Sequence, residues 1–235
     1  VNQSLPYQLR HSPRAKRLRL VVKPEGAELV MPPGVGEAQA LAFLERHRAW
    51  AERKLAELQA RRGQTVPPQR FHHGATVPFQ GKEVPVLLVA GGGRRLRVAF
   101  DGHFVISAPG AEGPTEPQVR SALYAWVQEW LLREAGRIAE QHADLCGLRP
   151  GTIRVKRMTS RWGSCGAQGD INLNWLLAFA PPTVLEYVVV HELCHLRHRD
   201  HSAAFWNLVA RHLPDWPEQR QWLRRQGISL LRRLG

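Results

Sequence analysis

The stretch from Val184 to Val190 is apolar except for Glu186 and the hydroxyl of Tyr187, and it runs without a break into His191-Glu192-Leu193-Cys194-His195. Any fold of this chain must accommodate that join. The apolar approach predicts a buried helix, and a helix sets His191 and His195 one turn apart on the same face. Two imidazoles and a carboxylate on a buried helix are costly unless something such as a metal ion binds them. The H-E-x-x-H spacing fits one zinc ion, with Glu192 placed to act on a water at the same metal. Pro181-Pro182-Thr183 stops the preceding segment, and Thr183 with Glu186 has capping-box spacing. These signals predict a helix from about Val184 to about His198.

Catalytic zinc usually takes three protein ligands and keeps one position for water. His198 and His201 are the nearby candidates for the third. His198 continues the helical face, but it stands about 10 Å along the axis from His191 at 1.5 Å rise per residue. A straight helix cannot bring both to one ion. His201 follows Arg199-Asp200, where the helix can turn, and precedes Ser202, a candidate N-cap for the next helix. We therefore favour His201. The spacing matches the metzincin third histidine, but His198 occupies the metzincin glycine position. Both methionines, Met31 and Met158, precede the motif, so no Met-turn can follow it.

The wider string is more specific. Ser160-Arg161-Trp162-Gly163-Ser164-Cys165, then Ile171 to Trp175, the His191 helix, His201-Ser202, Phe205-Trp206 and Pro214-Asp215-Trp216 resemble the YgjP-like zinc metallopeptidases, bacterial relatives of the SprT-like and WLM groups. Arg14 to Val22, Met31-Pro32-Pro33 and a helix containing Trp50 are similar too, so the resemblance covers nearly the whole chain. It implies a zincin-type fold, one zinc ion on His191, His195 and His201, and Glu192 as general base. The expected class is α+β: a β-rich N-terminal domain with one helix over 1–110, then a compact zincin-like metallopeptidase domain over 111–235.

Elsewhere, strands are expected at Leu18–Val22, Glu28–Met31, Val77–Gln80, Glu83–Val89, Leu96–Phe100 and His103–Ser107. Asp101-Gly102 is a strong two-residue turn signal. Helices are expected over about Glu37–Arg61 and Pro117–Cys146, with Pro109 to Pro117 as a linker. Ile153–Met158 and Ile171–Leu176 read as strands joined by the loop Thr159–Asp170. Gly91-Gly92-Gly93 lacks the Gly-Lys-Ser/Thr ending of a phosphate loop and reads as a turn.

The chemistry these residues suggest is hydrolysis of a peptide or protein substrate, with Glu192 moving a proton from water to the leaving nitrogen. Substrates of zincins commonly lie along an edge strand, for which Ile171–Trp175 is the candidate, with Asn172 and Asn174 as substrate contacts. Arg161 is a candidate for stabilising the oxyanion. Two other functions stay open: a metal-dependent nucleotide phosphohydrolase, and a non-catalytic nucleic-acid-binding module with a structural zinc. The net charge of +13 motivates both, although the arginines are dispersed and follow no nucleic-acid-binding signature. No apolar run is long enough to span a membrane, and no signal peptide follows the basic cluster at Arg10–Arg19. With three cysteines and no export signal, reduced thiols and a cytoplasmic location are expected.

Overall fold

A glycine-permitted turn ties a small sheet to the start of the buried helix that carries His191. A computed structural model describes residues 5–62, 69–91, 95–109 and 113–234. They form two compact units, Val1–Val66 and Pro67–Gly235. The architecture is mixed α+β, as expected. The expected boundary at 110 and the Gly91–Gly93 turn lie wholly or partly outside the described residues.

In the first unit, β1 (Tyr7–His11), β2 (Arg19–Lys23) and β3 (Gly26–Met31) make a sheet in the order β1-β3-β2. β2 and β3 form the expected hairpin, while β1 runs parallel to β3 and is not foreseen by local pattern. Helix α1 (Glu37–Arg62) packs on β2 and β3 and buries Leu44 against Leu29 and Met31. Burying each such side chain contributes about 1.5–3 kcal/mol, enough for a three-stranded sheet to hold one helix.

The second unit carries β4 (Thr76–Phe79), β5 (Lys82–Gly91), β6 (Arg97–Phe100) and β7 (Phe104–Pro109), ordered β4-β5-β7-β6. Pro78 lies on the edge strand β4, as its missing N–H requires. Pro85 falls where β5 pairs only with β4, because pairing with β7 begins at Val86. The β4–β5 hairpin turns through Gln80 (φ 50°) and Gly81 (φ 76°), the two positive values that a two-residue type I′ turn needs. Its amides donate to Ala178 and Phe179 carbonyls at 2.9 and 3.2 Å. A Cβ on Gly81 would meet Pro181 at 2.9 Å, so only glycine fits there.

Helix α2 (Glu116–Cys146) starts with Thr115, whose N–H donates to the Gln118 side chain at 2.9 Å, and stops at Gly147 in the left-handed region. A second sheet follows, β8 (Ile153–Lys156), β9 (Gly163–Cys165) and β10 (Ile171–Asn174), in the order β8-β10-β9. β10 is therefore the central strand. This corrects the expectation that Ile171–Trp175 is an edge. β9, inside what the sequence presents as a loop, is an edge strand instead.

A buried 3-10 turn, Trp175–Phe179, leads to α3 (Pro182–Cys194), then α4 (Ala203–His212) and α5 (Trp216–Leu234). Helix α3 begins at Pro182, two residues before the expected start. Thr183 is thus inside the helix and makes no capping box; its hydroxyl donates to Gln219 at 3.1 Å. The α-helix ends at Cys194 and not at His198. α3 packs against α2, α4 and α5 and lies on β9 and β10, so it is the buried centre of this unit. Among the described residues no helix is long and apolar enough to cross a membrane.

Candidate metal centre and active site

Helix α3 delivers His191 from its last turn and His195 from its C-cap, with ring centroids 4.9 Å apart. Because the helix stops there, the chain turns through Asp200 and brings His201 back. Asp200 holds that turn by accepting the Ser202 N–H at 3.3 Å, and Ser202 is the N-cap position of α4. His201 Nε2 then stands 3.1 Å from His191 Nε2, and the ligand atoms of His191, His195 and His201 all lie within 4.8 Å of one another. Tetrahedral coordination with Zn–N near 2.0–2.1 Å spaces two donors by roughly 3.3 Å, so the closest pair fits one ion. His198 is not in the cluster. Its backbone carbonyl accepts from His195 Nδ1 at 2.9 Å, which leaves His195 Nε2 free to bind a metal.

Aromatic side chains fix the rings. Phe205 stacks on His195 at 4.5 Å and touches both other imidazoles edge-on. Trp206 stacks on His201 at 5.7 Å, and Trp216 stacks on Trp206 at 4.3 Å. These tryptophans pack around the site. Burial, with smaller contributions from the neighbouring histidines and Arg220, pulls the His191 pKa down to about 3, so this ring is a neutral donor.

Glu192 is only 4% exposed, and its Oε2 is buried without a hydrogen-bond partner among the described residues. Burial pushes its pKa up to about 8, while the Arg161 guanidinium pulls the other way. A carboxyl tuned toward neutrality can both take and return a proton near pH 7. Edge strand β9 lies directly against it. A Cβ on Gly163 would sit 2.5 Å from Glu192 Oε1.

Arg161 and Glu192 line one cleft of about 430 Å³. Asn174 is buried, and its Nδ2 donates to the carbonyls of Met158 and Arg161 at 2.7 and 3.1 Å. Its amide is committed to the loop that carries Arg161. Asn172 is half-buried and donates to Ser164 Oγ at 3.4 Å, inside the sheet. Neither asparagine is among the residues lining the cleft. Cys165 also stays outside the metal cluster; Arg199 reaches its sulfur at 3.5 Å and the Gly166 and Ala167 carbonyls at 2.6 and 2.9 Å. Arg199 thereby pins the β9–β10 turn to the segment after α3. Sequence reading missed β9, Arg199, Arg220 and Arg224, because each acquires its place only through long-range packing.

A family model described as "YgjP-like, metallopeptidase domain" matches residues 16–226. The chain belongs to this family. YgjP-like proteins are thus the frame for the three-histidine cluster, and the protein is a metallopeptidase by membership. None of the curated proteins compared is similar in sequence. Among solved structures, the metallopeptidase zymogen abylysin of Pyrococcus abyssi is 23% identical, with a TM-score of 0.36, over 42% of this chain and 96% of that one. That similarity is too slight to assign any residue.

Proposed function

We propose that this YgjP-like protein is a zinc-dependent peptidase of zincin type that hydrolyses peptide bonds, with one ion held by His191, His195 and His201. The observation that carries this reading is the convergence of three imidazole donors beside the buried, partnerless carboxylate of Glu192. An all-nitrogen donor set suits zinc better than magnesium or calcium, which prefer carboxylates. That set also argues against a phosphohydrolase centre. A purely structural zinc site would be closed and cysteine-rich. When bound, the ion supplies a Lewis acid that acidifies water and polarises the carbonyl under attack.

The chain's own residues do the rest. Glu192 takes a proton from the attacking water and returns it to the leaving nitrogen. Arg161, on the cleft wall, faces negative charge developing on the carbonyl oxygen. Asn174 positions Arg161 through its carbonyl rather than touching substrate. The exposed side of β9 offers an extended peptide a strand to pair with.

The test is hydrolysis of a peptide mixture by protein loaded with one zinc, read by mass spectrometry, beside Glu192→Gln. The variant should keep its zinc and lose hydrolysis. Full turnover by the zinc-loaded variant, or hydrolysis by wild type that survives metal removal, would overturn the assignment.

A further inference from the structure

One face of α5 lines the cleft that Glu192 also lines. Arg220, Leu223, Arg224 and Ile228 line it, and Gly227 on the same stripe lies against Trp162, where a Cβ would approach the ring to 2.5 Å. This i, i+3, i+4, i+7, i+8 pattern is the packing face of a helix, where apolar residues are the norm. Here two of its positions hold arginine. With Arg161, three arginines line a cleft whose only acidic lining group is Glu192.

These arginines differ from the ones that form ion pairs. Arg10, Arg48, Arg137, Arg154 and Arg233 are each paired with a carboxylate. Arg161, Arg220 and Arg224 have no such partner among the described residues. Arg220 is held in place nonetheless: its guanidinium lies 4.8 Å over the Trp206 ring and 5.8 Å from that of Trp216. Since Trp206 stacks on His201, Arg220 stands at a fixed position beside the metal cluster. A guanidinium stacked on an aromatic pair keeps its planar fork open for a bidentate anion and loses little freedom on binding.

We propose that Arg220 and Arg224 form a carboxylate-recognition subsite in the cleft that Arg161 also lines, with Arg161 left to the oxyanion, so that the preferred substrates are peptides bearing a carboxylate next to the scissile bond. The inference rests on the peptidase reading above. The carboxylate belongs either to an acidic side chain or to a free C-terminus, since the fork meets the same planar group in both. The apolar walls of Trp162, Leu223 and Ile228 favour a peptide over a polyphosphate backbone, which is usually tracked along a broad polar surface.

The test uses zinc-loaded Glu192→Gln protein, so that bound peptide persists, and follows binding by tryptophan fluorescence. Four pentapeptides share one sequence except at a single position. One is neutral and amidated, one neutral with a free C-terminus, one amidated with glutamate, and one amidated with lysine. At least one carboxylate-bearing peptide should bind about 10- to 100-fold tighter than the neutral amide, the range for charge-assisted hydrogen bonds. Which of the two does so identifies the source of the carboxylate.

Adding Arg220→Gln with Arg224→Gln should abolish the preference, and the lysine pair at the same positions should weaken it. Should the glutamine pair fail to fold, the lysine pair carries the test. Arg225→Gln, which removes one charge from the same helix outside the cleft, should leave the preference intact. Equal affinity for all four peptides, while the wild type still cleaves them, overturns the subsite and leaves the peptidase standing. No binding and no cleavage of any peptide by zinc-loaded protein overturns both. Arginine-dependent binding of a nucleoside triphosphate without peptide binding overturns the subsite in favour of phosphate.

Discussion

Replacing Gly163 with alanine tests how closely β9 supports the general base. The new methyl carbon would lie 2.5 Å from Glu192 Oε1, 2.8 Å from Cγ and 2.9 Å from Cδ. Carbon atoms in ordinary contact are about 3.5 Å apart or more. Three atoms of one buried side chain must therefore retreat by about 0.6–1 Å, so swinging the carboxylate tip alone does not relieve the contact. A displacement of about 1 Å in a catalytic group costs on the order of 100-fold in rate. Overpacking adds about 1–3 kcal/mol of destabilisation. In a unit of this size, each kcal/mol lowers Tm by about 2–4 °C. The three imidazoles are not among the atoms displaced, so zinc content should stay at the wild-type level. The assay is the initial rate of peptide hydrolysis at matched zinc occupancy, with Tm measured alongside. A zinc-loaded Gly163→Ala protein with wild-type rate would refute the reasoning, because Glu192 would then tolerate a shift that the general-base role forbids.

Gly227→Ala should lower Tm, because overpacking against Trp162 costs about 1–3 kcal/mol, although alanine ordinarily favours a helix by about 1 kcal/mol over glycine; a rise in Tm would show that α5 does not press on that ring. Asp170 accepts the Thr152 N–H at 3.0 Å and binds Arg154 at 2.6 Å, which holds its pKa below the ordinary aspartate value. Because the folded-state pKa is lowered, this contribution is present above the unfolded value, about 3.9, and is lost as pH falls through the folded one. Asp170→Asn should therefore lower Tm at neutral pH and narrow the gap to wild type in acid; a gap that persists unchanged at low pH would contradict the ionic role.

Much of the site was legible because its signals are local. The apolar approach and the H-E-x-x-H spacing place His191, Glu192 and His195 on a buried helix. The argument from axial rise selects His201 over His198, and the geometry brings His201 to the cluster. The misreadings share a different cause. Gly163-Ser164-Cys165 has little strand propensity, and it becomes a strand only by pairing with β10. That pairing moves β10 to the centre of its sheet, and Asn172 and Asn174 are not among the residues lining the cleft. Thr183 lost its capping role because Pro181 starts the helix earlier. Arg220 and Arg224 lie 29 and 33 residues beyond His191 on another helix, and a chain with 33 lysines and arginines gives no local reason to single them out.

The central claim is that His191, His195 and His201 hold one zinc open to water. X-ray absorption at the zinc edge, on protein carrying one metal per chain, tests it most directly, with His201→Ala and His198→Ala beside it. The account predicts three imidazole nitrogens and one oxygen donor in the wild type, an unchanged spectrum in His198→Ala, and one imidazole fewer with weakened retention in His201→Ala. Sulfur in the first shell, or a spectrum unaltered by His201→Ala, would contradict it.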